Sequence, residues 1–112
     1  MTVLVAVLIP AKIAENTQTT QYTSTGVTTI IDKFTATNYS GSAATLSINL
    51  VTTAGSAGNS NLITKTKTLQ AGEGYTFPEI VGQILGSGDF ISTLAGTATA
   101  INIRASGREI TS

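Results

Sequence analysis

The chain has 112 residues, only 11% of them charged, no net charge, and neither cysteine nor histidine. That excludes a disulfide framework or thiolate metal site, removes the usual general base, and argues against nucleic acid, which is gripped by clustered Lys and Arg. The length allows one domain, residues 1–112, able to bury roughly 65% of the surface its unfolded form exposes.

Threonine is the commonest residue. It favours strands, where its branched carbon packs on the pleat and its hydroxyl still meets water. A surface of Thr, Ser, Asn and Gly with few charges keeps neighbouring copies apart poorly, and suits a protein packed against other subunits, the alternative being a monomer with a hydroxyl-rich skin.

Val3 to Ile9 is apolar on both faces: Val3, Val5, Val7 and Ile9 on one, Leu4, Ala6 and Leu8 on the other. Such a run predicts a strand buried on both sides. A sandwich dries only one face, so the second needs cover from elsewhere in the chain or from another subunit. The run is too short to cross a bilayer, where about 20 residues are needed, and it lacks a basic leader, so no targeting address is visible. Pro10, having no N–H, is expected to end the pairing. Ala11 to Asn16 is too short to assign. Thr17 to Thr25 is polar on both faces around Tyr22, and predicts an edge strand or an extended arm; residues 1–25 together are a strand and arm suited to subunit contacts.

Gly26 to Val51 reads as a β-hairpin. Its first strand brings Ile30, Phe34 and Ala36 to one face, interrupted by Asp32. Its second alternates Leu46, Ile48 and Leu50 with Thr45, Ser47 and Asn49, the period of a strand with one dry side. Between them Asn38 to Ser42 carries the residues that turn a chain. Thr52 to Ser60 is a loop of small residues. Asn61 to Leu69 is a strand whose Lys65 and Lys67, placed on one face, guard a sheet edge.

Gln70 to Gly74 is a tight turn and Tyr75 to Phe77 is extended. Pro78 to Leu85 has the composition of a short helix or a buried crossing segment. After a turn at Gly86 to Asp89, Phe90 to Ala95 is a strand. Thr99, Ile101 and Ile103 alternate with Ala100, Asn102 and Arg104 in another. Ser106-Gly107 is read as a turn into a last short strand, Arg108 to Ile110, whose opposite charges at Arg108 and Glu109 point to opposite faces. Seven to nine short strands, punctuated by Gly, Ser and Asn, with at most one short helix, predict an all-β antiparallel sandwich or jelly roll.

Reactive groups are few. Six carboxylates remain, and only Glu73 and Glu79 would suit a glycosidase pair, without the aromatics that line a sugar cleft. No acidic loop has the alternating oxygen ligands of a calcium site. Gly82, Gly86 and Gly88 follow neither a dinucleotide fingerprint nor a P-loop, and are read as loop geometry. The expectation is no enzyme, no cofactor and no metal.

Phe34 to Leu50 (FTATNYSGSAATLSINL), Gln70 to Leu85 (QAGEGYTFPEIVGQIL), Gly88-Asp-Phe-Ile-Ser and Ile103-Arg-Ala-Ser-Gly-Arg-Glu-Ile resemble, in strand-and-turn style, the small structural proteins of tailed-phage virions. The resemblance implies a capsid decoration (cement) protein that bridges major capsid protein subunits. It implies a homo-oligomer, dimer or trimer, assembled in the host cytoplasm and residing in the virion, with no nucleic-acid, membrane or small-molecule partner. It offers no catalytic residues. The residues suited to subunit contacts are Val3, Leu4, Val5, Val7, Leu8, Ile9, Thr19, Gln21 and Tyr22. A neck, tail or fibre component is the alternative within the same group. A receptor- or carbohydrate-binding module is an alternative from another class, and needs a platform built from Tyr22, Phe34, Tyr39, Tyr75, Phe77 or Phe90.

Overall fold

The computed structural model describes residues 1–111. Nine strands form two antiparallel sheets: β1 (Thr2–Ile13), β2 (Thr19–Thr23), β3 (Thr28–Asn38), β4 (Ala44–Val51), β5 (Leu62–Leu69), β6 (Gly74–Thr76), β7 (Ile84–Leu85), β8 (Phe90–Ala95) and β9 (Ile101–Thr111). One sheet runs β1-β9-β3-β6, with β7 also pairing β3; the other runs β2-β8-β4-β5. The pairings β4–β5, β3–β6, β2–β8 and β1–β9 are those of one long double strand wound round itself, its tip at β4–β5 and its two ends at β1 and β9. This is a jelly-roll winding of a β-sandwich.

The core lies between the sheets, where Phe34, Leu46, Ile48, Leu69, Phe77, Ile80, Ile91, Ile101 and Ile103 are fully enclosed. Phe77 stands edge-on to both Phe34 and Tyr75, with ring centroids at 5.5 and 4.8 Å. Edge-to-face contact suits the ring quadrupole and adds to the area each ring removes from water. The molecule is elongated, about 46 × 26 × 19 Å.

Several sequence expectations are corrected. β3 and β4 both exist, yet they lie in different sheets, so Asn38 to Ala43 is an arch across the sandwich and not a hairpin turn. The buried Asn38 amide holds the arch: its nitrogen donates to the Ser42 and Leu69 carbonyls, and its oxygen accepts from the Ser40 N–H and hydroxyl. In β3 a bulge at Asp32 changes which residues face inward. Thr29 and Ile31 are buried before it, Phe34, Ala36 and Asn38 after it, and Ile30 points outward. An extra residue in one strand flips everything beyond it to the other face.

A second bulge, at Lys65 and Thr66 in β5, puts the two lysines on opposite faces. Thr66 there has φ +44° and its N–H donates to Ser47 Oγ. Lys67 turns inward over the Tyr75 ring, 4.4 Å from its centroid. The outer face of β4 is also covered, since Ser47 and Asn49 are buried.

Pro10 does not end β1. The strand runs on to Ile13 through irregularities between Val7 and Ile9 and between Ile9 and Lys12, as an edge strand at a bulge tolerates proline. Nor does Ser106-Gly107 turn: β9 is continuous, and Gly107 sits opposite Ala6 and Ile31. A Cβ there would lie 2.2 Å from the Ile30 carbonyl oxygen and 2.9 Å from Leu8 Cδ1, so the strand needs a residue without one. Pro78 to Gly82 makes hydrogen-bonded turns, with Ile80 and Val81 donating to the Phe77 carbonyl, and ends in the two residues of β7. The segment crosses one side of the sandwich and buries Phe77 and Ile80.

Candidate functional site

Residues directly opposite each other in paired strands share a face, so the register defines what each side of the β1 end presents. The inner face there carries the row Leu4, Glu109, Thr29, Leu85 and the row Ala6, Gly107, Ile31. The outer face carries Val5, Arg108, Ile30, Ile84, flanked by Val3, Ile110, Thr28 on one side and Val7, Ser106, Lys33 on the other. Val5 is 87% exposed, Ile84 64%, Leu4 53%, Val7 51% and Val3 49%. The apolar run of β1 is thus left uncovered by its own chain. In the middle of the face Arg108 grips Asp32 with two nitrogens, Nη2 at 2.9 Å and Nε at 3.0 Å. The guanidinium's hydrogen bonds and charge hold the Asp32 carboxyl below its usual range.

Three sequence-selected contact residues, Val3, Val5 and Val7, come together on the outer strip, and Leu4, although half-exposed, lies on the inner face beside Glu109. Leu8 and Ile9 do not join the strip: alternation puts Leu8 on the inner face with Ala6, and the irregularity after Val7 turns Ile9 inward as well, at 5% and 0% exposure. Thr19, Gln21 and Tyr22 lie on β2, the edge of the other sheet. Gln21 donates to Glu15 and to Thr93, and with Lys12 it lowers the Glu15 carboxyl's affinity for a proton.

Tyr22 reaches across to the first sheet, its hydroxyl 2.7 Å from Thr29 Oγ1 and donating to Glu109. Ser24 donates to the Val27 carbonyl and lies 2.8 Å from Thr29 Oγ1. The single hydroxyl proton of Thr29 therefore serves one of its two neighbours at a time. Burial, and the Glu109 carboxyl beside it, raise the Tyr22 phenol above its ordinary value. This cluster fixes the inner side of the sheet beneath Leu4.

Sequence reasoning missed Ile30, Ile84 and Ile110 as members of the strip. A two-residue strand such as β7 leaves no periodicity to read, and Ile30 sits before a bulge that the sequence does not announce.

Other candidates are already occupied by the chain itself. Glu73 accepts from the Gln70 N–H, while Glu79 accepts from Thr64, so the two carboxylates serve separate parts of the fold. A cleft of about 240 Å³ on the outer side of the second sheet is lined in part by Gln18, Asn49, Lys65 and Leu94. Its Asn49 and Gln18 amides are engaged: Asn49 donates to Gly58 and Asn61, and Gln18 donates to Ser92. Of the aromatics, Phe34 and Phe77 are buried, Tyr75 is sandwiched between Phe77 and Lys67, and Tyr39 stands 52% exposed on the arch. Among the described residues no group of three or more acidic side chains is placed to hold a metal ion, and no helix is long and apolar enough to cross a membrane.

No family model, curated protein or solved structure matches the chain.

Proposed function

We propose that this protein is a structural subunit of an assembled particle, in the role of a capsid decoration protein that bridges major capsid protein subunits in a virion. The observation that carries the reading is the uncovered apolar strip of β1. A chain with few charges leaves Val3, Val5 and Val7 exposed on a regular strand, where a partner's surface would cover them. The hydroxyl-rich, low-charge composition and the phage-like strand-and-turn segments point the same way. The jelly roll is compatible with this role, being a frequent architecture of capsid proteins and also of lectins, and so does not itself decide function. Subunits repeated by symmetry gain from avidity, so each contact can be small.

The test is particle stability. Heads assembled without the protein are expected to rupture at lower temperature and under milder osmotic shock, and added protein should restore them. Heads equally robust in its absence would rule out the cementing role. Labelling that puts the protein on the tail and not on the head faces would move it to the neck or tail.

A further inference from the structure

We infer that a second copy of this chain docks on β1, strand edge to strand edge, antiparallel about a twofold axis at Val5. The inference rests on the assembly reading above and supplies its self-contact. It starts from how each sheet edge is protected. Proteins blunt exposed edges with lysine, proline, bulges, polar side chains or very short strands. Here β2 is polar (TTQYT) with an irregularity between Thr20 and Tyr22. β5 carries Lys65, Lys67 and the bulge at Thr66. β6 and β7 are three and two residues long. The second half of β1 has Pro10, Lys12 and two irregularities. Among the described residues, Thr2 to Val7 is the one stretch of edge with none of these devices.

The occupant follows from self-complementarity. The stretch contains no charge, so it selects no charged partner. A twofold axis perpendicular to the sheet keeps outer side chains on the outer face, so it must lie midway between the two copies of one residue, setting that residue opposite itself. Centred on Val5, it sets Val5 opposite Val5, Val3 opposite Val7, and Leu4 opposite Ala6. Every outer valine then meets a valine, and the two five-stranded sheets become one continuous sheet. Such isologous contacts are the commonest way for identical chains to pair.

A six-residue strand edge runs only about 20 Å at some 3.4 Å per residue. It therefore belongs with the smaller interfaces, below about 1,200 Å² in total, and the dimer is expected to be reversible. Val5 is 87% exposed, so its replacement leaves the chain's own packing intact.

The experiment is sedimentation equilibrium on the full chain from low to high micromolar concentration, with circular dichroism to confirm folding. The wild-type chain should show a monomer–dimer equilibrium. Val5→Lys, which puts two ammonium groups directly opposite each other, should weaken it at least about tenfold. Ile63→Lys, at an exposed position on β5 of the other sheet, should leave it unchanged. The chain has no cysteine, so a Val5→Cys variant has one thiol. Opposite residues in an antiparallel pair lie about 4.5–5.5 Å apart, within disulfide reach, so mild oxidation should lock this variant as a dimer. Val3→Cys should stay a monomer band under the same oxidation because its symmetry mate lies four residues along the strand, beyond disulfide reach.

A wild-type chain that is monomeric throughout, equal weakening by Ile63→Lys, or equal cross-linking by Val3→Cys would each overturn the pairing. A monomer overturns it whatever the capsids do, while capsids indifferent to the protein overturn the structural role whatever the sedimentation gives.

Discussion

At Gly107 a single hydrogen atom decides whether the first sheet closes. A flanking serine makes the site look like a turn, yet its requirement is the Ile30 carbonyl, which leaves no room for a Cβ. Gly107→Ala is expected to destabilise the fold by about 1–3 kcal/mol, read as a lower urea midpoint with an unchanged slope. Tyr22 gives a test with a direction in pH. Its folded-state affinity for a proton is raised above the ordinary value of 10.0, so the stabilisation is complete below that value and is lost as pH rises through the folded one. Thermal midpoints followed across the alkaline range should fall more steeply for the wild-type chain than for Tyr22→Phe. Parallel curves would show that the phenol's surroundings do not distinguish folded from unfolded chain. Neither role is legible locally, because Ile30 reaches Gly107 through strand pairing and Glu109 reaches Tyr22 only across the two sheets.

The strands themselves were largely readable as elements. The alternation in β4 and β9 and the punctuation around β8 mark strands that the fold contains. What failed was partnership and phase. β3 and β4 look like a hairpin because sequential strands usually pair, but a jelly roll sends most successive strands to opposite sheets. Bulges at Asp32 and Thr66 each invert the faces beyond them, which is why Ile30 and the two lysines were misplaced. The segment after β6 works as a plug, with Phe77 held between Phe34 and Tyr75. Phe77→Ala should cost about 3–5 kcal/mol, since the surrounding rings close the cavity only in part. A chemical denaturation curve shifted by much less would mean that the crossing segment collapses into the gap.

Across the whole molecule, the first and last strands pair with each other, Thr2 opposite Thr111. Almost every pairing therefore waits on closure of a long loop, and refolding is expected on the millisecond-to-second scale by stopped-flow mixing. A microsecond phase that recovers all the signal would contradict this topology. The candidate site was half visible for the same reason. Val3 to Val7 stood out as an apolar run, but whether the chain covers it depends on where residues 84 and 106–110 come to lie, and Leu8 and Ile9 were lost to the core.

The arch held by Asn38 stands at the end of the molecule opposite the β1 strip, and a side chain added at Gly41 meets nothing within 4 Å. Its tip can therefore carry cargo. A foreign peptide spliced there should leave both the fold and the β1 strip at the opposite pole undisturbed.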